Sequence, residues 1–95
     1  MSALEARRLF ETNVDVTVLK VLSRSGVSSI VFCLERSPKR FSEIMFETRL
    51  NPGILDRHLK ALAKLEIVEK SEDFYQLTKK GLEVAEVLQR LFSIV

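Results

Sequence analysis

Residues 56–70 read DRHLKALAKLEIVEK. With Leu55 just ahead, Leu59, Leu62 and Leu65 recur at i, i+4, i+7 and i+10, one continuous stripe along a helix. Arg57, Lys60 and Lys64 fall on the opposite side, and His58 sits at the edge of the stripe. The chain then passes without a break into Ile67–Lys70, a β-branched, charged run that reads as a strand. Such a helix rests on a domain by its leucines and keeps its other side free to carry hydrogen-bond donors.

Working outward, Asn51-Pro52 is the clearest helix start in the chain, an Asx N-cap followed by proline at the first helical position. It predicts a helix over 52–65. Ahead of it Phe41 leads into Ser42-Glu43, which begins a short helix over 42–48 carrying Ile44 and Met45. Two helices joined by about three residues make a helix-turn-helix. Downstream, Phe74–Leu77 is a second strand and Ser71-Glu72-Asp73 a tight turn, so the pair forms a two-stranded antiparallel wing. Thr78 caps a last helix with Leu82, Ala85, Leu88, Leu91 and Phe92 facing inward. Upstream, helical spacing predicts a helix over 2–12, and a second one N-capped by Asp15, carrying Val18, Leu19 and Leu22 and ended by Gly26. A third starts at Ser28 or Ser29 and cannot pass Pro38. The expected fold is mainly α: one domain over 1–95, with an N-terminal extension (1–14) and a dimerisation helix (78–95).

The chain has 95 residues, enough for a single domain, and no apolar run near the roughly 18 residues that span a bilayer. A soluble, cytoplasmic protein with no membrane partner is expected. One cysteine (Cys33) and one histidine exclude an internal disulfide and a zinc site built from several Cys and His ligands. The net charge is only +2, but residues 39–64 carry six basic against three acidic side chains, and the balance reverses to four against six from Glu66 onward. Positive charge therefore centres on the helix-turn-helix. Glu43 and Glu47 share a helix face at i, i+4, yet no nucleophile or base accompanies them, and no enzyme is expected.

From about Leu22 to Leu91 the sequence resembles winged-helix transcription regulators of the ArsR and HxlR types, related to MarR. SPKRFSEI (37–44) is similar to the HxlR stretch before the helix-turn-helix. DRHLKALAKLEIVEK resembles the ArsR-type recognition helix, and FYQLTKKG (74–81) the return strand of the wing with the cap of the last helix. The resemblance implies a regulator that binds double-stranded DNA. Two departures stand out: the wing tip is acidic, and the metal-sensing cysteines and histidines of ArsR sensors are absent, so no cofactor is implied. The sequence specifies no small-molecule effector.

On this reading, residues in the first two turns of the 52–65 helix reach base edges. Gly53 allows close approach, Ile54 faces a thymine methyl, and Asp56 and Arg57 supply polar contacts, Arg57 bidentate to guanine or phosphate. Lys39, Arg40, Ser42, Lys60 and Lys64 hold phosphates. His58 is read as a partly buried structural residue, or else as a phosphate contact or metal ligand, and Cys33 as a small core residue. A winged helix serving only protein–protein contacts is the alternative function. Apolar residues beyond one stripe predict a homodimer through Leu4, Leu9, Phe10, Val84, Val87, Leu88, Leu91 and Phe92. Folding of the N-terminal helix back over the last helix is the alternative there.

Overall fold

The computed structural model describes residues 16–94; the expected helix over 2–12, the Asp15 cap and the contacts of Leu4, Leu9 and Phe10 lie outside them. Five helices and three short strands follow in order: α1 (Val16–Leu22), α2 (Val27–Arg36), β1 (Lys39–Arg40), α3 (Phe41–Thr48), α4 (Pro52–Lys64), β2 (Val68–Ser71), β3 (Phe74–Leu77) and α5 (Lys79–Ile94). No single helix among the described residues is long and apolar enough to cross a membrane.

The core lies beneath α2, α3 and α4. Ile30, Val31, Ile44, Leu55, Leu62 and Ile67 are fully enclosed. Burial of one such side chain stabilises by about 1.5–3 kcal/mol. The leucine stripe of α4 faces inward as expected, except that Leu65 is its half-buried C-cap residue. The Asn51 cap is present: its Oδ1 accepts from the Gly53 N–H at 2.8 Å, with Pro52 at the first position.

Several expectations are corrected. Helix α1 stops at Leu22, four residues before Gly26, and Gly26 (φ 90°) instead leads into α2, which begins at Val27 rather than at Ser28 or Ser29. The left-handed backbone there and the packing of Leu50 against Gly26 leave no room for a side chain. The expected hairpin forms as β2 and β3, and a third short strand joins its edge. Lys39 and Arg40 pair with Tyr75 and Phe74, giving the antiparallel order β1-β3-β2. Ser71 pairs with Phe74, so the turn is the two residues Glu72-Asp73, with Glu72 at φ 56°.

On α5, Gly81, Ala85 and Leu88 face the core at i, i+4, i+7, anchored by the Thr78 hydroxyl, which accepts from the Gly81 N–H at 3.0 Å. Leu82, Leu91 and Phe92, expected inward, are half exposed. Leu82 lies a quarter turn off the Gly81-Ala85-Leu88 face, and Leu91 and Phe92 lie in the last turns of this 16-residue helix, beyond the buried residues of that face.

Candidate nucleic-acid interface

The exposed side of α4 presents Gly53, Ile54, Arg57, Lys60 and Lys64, as expected, with Asp56 half-buried beside them. Asp56 is an internal partner: its carboxylate holds the Lys60 ammonium at 2.9 Å and keeps that amine more basic than a free lysine. Arg57 and Lys64 make no ion pair among the described residues, which leaves them the unneutralised cations of this face. A Cβ on Gly53 would meet only Asn51 Oδ1, at 3.3 Å. The helix start is open to close approach from outside.

Beside α4, the N-terminus of α3 and the stem of the wing form a shallow notch lined by Arg40, Ser42, Lys70, Asp73 and Tyr75. Arg40 lies over the Phe74 ring at 5.0 Å and Lys70 over the Tyr75 ring at 5.4 Å. Each aromatic ring holds its cation at the rim by cation–π attraction. Lys70 is absent from the residues expected from sequence. It stands in an acidic stretch, and only the pairing of Lys70 with Tyr75 brings it next to Arg40.

One expected phosphate contact points elsewhere. Lys39 is buried, and its ammonium donates to the Cys33 carbonyl oxygen at 3.0 Å and the Ser37 hydroxyl at 3.1 Å. Alternation along β1 turns Lys39 to the core face of the sheet and Arg40 outward. His58 is also buried, with Nε2 3.1 Å from the Ser25 carbonyl oxygen. The structural reading of this histidine is the one that the geometry matches.

The Glu43–Glu47 pair separates into two unrelated tasks. Glu43 accepts from the Arg40 N–H at 2.9 Å, capping α3. Glu47 pairs with the Arg36 guanidinium and accepts from the Cys33 thiol at 3.1 Å. That hydrogen bond, with Arg36 and Lys39 nearby, holds the Glu47 carboxyl below its usual range. Burial and then the Glu47 carboxylate push the Cys33 thiol up to about 11, so it stays protonated at neutral pH.

A trihelical core, a helix-turn-helix with an exposed basic second helix, and a hairpin beside it define the winged helix-turn-helix class. Residues 24–70 match the family model described as bacterial regulatory protein, arsR family. The chain is similar to quinone-bound YodB from B. subtilis, at 31% identity over 81% of this chain and 89% of that one, with a TM-score of 0.76. It is also similar to the transcriptional repressor BigR from Xylella fastidiosa (24% identity, 96% and 91% covered, TM-score 0.74). The homodimeric winged helix-turn-helix DNA-binding domain Mb0332 from Mycobacterium bovis shares the fold (18% identity, 98% and 88% covered, TM-score 0.70). No curated protein matches the sequence. The chain belongs to the winged helix-turn-helix transcriptional regulators, a DNA-binding class, and its helix-turn-helix is of the arsR type.

Proposed function

We infer that the protein binds a specific double-stranded DNA site as a homodimer, with α4 in the major groove, and regulates transcription. One observation carries this reading: α4 is anchored by its leucines on one side and exposes Gly53, Ile54, Arg57 and Lys64 on the other. The helix start is the part of a recognition helix that meets base edges. In this reading Arg57 makes a base contact, and Lys60, Lys64, Arg40, Ser42 and Lys70 meet phosphates.

Two substitutions separate these roles. Arg57→Ala weakens binding to the selected site by about 1–3 kcal/mol and relaxes preference at one base position. Lys64→Ala, which removes an unpaired cation, weakens specific and non-specific binding alike and lowers the salt slope by about one. Fluorescence anisotropy on selected and random duplexes across a salt series measures both. If the two variants bind like the parent, α4 is not the reader.

The acidic tip Glu72-Asp73 favours a second reading, a winged helix used only for protein contacts, because carboxylates there repel phosphates. Salt dependence discriminates: such a module has little duplex affinity at any salt. In the DNA-binding reading the stem of the wing meets the backbone and the tip is a minor, unfavourable neighbour. Replacing both Glu72 and Asp73 by Lys then tightens non-specific binding and steepens its salt slope. An unchanged affinity places the tip away from DNA.

A further inference from the structure

The leucine stripe of α4 leaves one property of the helix undetermined. Apolar contact is non-directional, so Leu55, Leu59 and Leu62 set how deeply the helix sits while tolerating small rotations about its axis. Such a rotation moves every exposed side chain sideways relative to whatever the helix reads. A hydrogen bond, by contrast, weakens steeply with angle.

Among the described residues, α4 makes one side-chain hydrogen bond to another element, from His58 to the Ser25 carbonyl at 3.1 Å. A carbonyl only accepts, so Nε2 carries the proton in this contact. The residue is 7% exposed, and its Nδ1 is buried without a hydrogen-bond partner among the described residues. For filling space alone an imidazole with an unpartnered nitrogen is inferior to leucine, since buried polar atoms are destabilising unless paired. The bond at Nε2 is therefore the feature that distinguishes His58 from a core filler.

The turn that receives this bond touches the start of α4 as well. At Gly26, an added Cβ would lie 2.7 Å from a methyl of Leu50, the residue before the Asn51 cap. One turn thus contacts the entry to α4 and its middle, two points that together define axis and roll. His58 follows Arg57 directly, so locking the inward azimuth of one locks the outward azimuth of the other.

We propose that His58 is a positioning residue for DNA reading, fixing the roll of α4 against the α1–α2 turn so that Arg57 meets the groove in register. The proposal rests on the DNA-binding reading above and adds to it the residue that aims the helix.

The test compares the parent with His58→Leu, His58→Met and His58→Gln. Glutamine keeps an N–H at the Nε2 position, and the two apolar variants do not. The ratio of affinities for a selected duplex and a random duplex is measured at one salt concentration. Residual dipolar couplings on the free protein report the orientation of α4 relative to α1.

The expected result is a roughly ten-fold loss of the selected-site ratio in His58→Leu and His58→Met, with random-duplex affinity and salt slope unchanged. His58→Gln stays within about threefold of the parent. The couplings show a broadened α4 orientation in the apolar variants only. A selected-site ratio that survives in either folded apolar variant overturns the proposal, as does a glutamine variant that falls as far as they do. A parent that binds no duplex at any salt refutes the DNA-binding reading instead. The dipolar couplings then decide alone: unchanged orientation in the apolar variants overturns the positioning role of His58, and broadening restricted to them supports it.

Discussion

Gly81→Ala is expected to destabilise the domain by about 3 kcal/mol, lowering Tm by about 12–24 °C for a domain of this size. The new Cβ would lie 2.1 Å from the Ile67 carbonyl oxygen and 3.1 Å from the Ile67 carbonyl carbon. Neither can withdraw easily, because the Thr78 N–H donates to that same oxygen at 3.0 Å and the Thr78 hydroxyl lies 3.2 Å from it. Alanine is otherwise the better helix former, by about 0.8–1 kcal/mol. A net loss therefore isolates the steric term. Gly53→Ala is the control: its Cβ approaches only the Asn51 side chain, and a Tm close to the parent's is expected. Thermal unfolding followed by circular dichroism checks both. Equal behaviour of the two variants would mean that α5 does not dock on the start of β2 at this distance.

Leu91→Glu is expected to leave the fold of one subunit intact, dissociate the homodimer and weaken binding to an inverted-repeat duplex by roughly 100-fold or more. Leu91 is 56% exposed and forms a stripe with Val87 (57%) and Ile94 (81%) at i, i+4, i+7. This outward face is distinct from the Gly81-Ala85-Leu88 face that meets the core. Val16 and Leu19 of α1 are further exposed apolar residues. A two-fold dimer covers the same patch on both subunits. It also presents two α4 helices to sites about one DNA turn apart, roughly 34 Å. Sedimentation equilibrium at tens of micromolar and a binding titration on one- and two-half-site duplexes measure the effect. A parent that sediments as a monomer sinks the dimer. One member of the expected interface is a core residue instead, and two others already have contacts within the chain. Leu88 belongs to the core and Val84 packs against it, while Phe92 meets Phe32 edge-on at 5.6 Å within the same chain.

Where a residue's task was local, its sequence neighbourhood revealed it. The Asn51-Pro52 start needs only its own side chain and the next N–H groups, and it stands within the bounds read from the sequence. The β3 bounds, the Thr78 cap and the inward leucines of α4 were legible for the same reason, since periods of 3.6 and 2 register inside a few residues. Lys39 and Lys70 were not, nor was the partner of His58. Each is a polar residue whose partner lies on another segment: Cys33 for one, Tyr75 for the next, Ser25 for the last. A two-residue strand such as β1 carries no periodicity at all.

By itself the sequence determined the helix-turn-helix, the hairpin after it and the basic side of α4, because local capping, periodicity and composition suffice for these. The tertiary structure alone decided which cations remain free. Strand pairing turned Lys39 inward and Arg40 outward, Asp56 closed on Lys60, and the α1–α2 turn engaged the buried His58. It also decided where the apolar surface of α5 stops being core, since that depends on how far the other helices extend beneath it. The physical reason is common to all of these. A side chain's direction is set by its own backbone, but whether it meets solvent or a partner is set by elements distant in the chain.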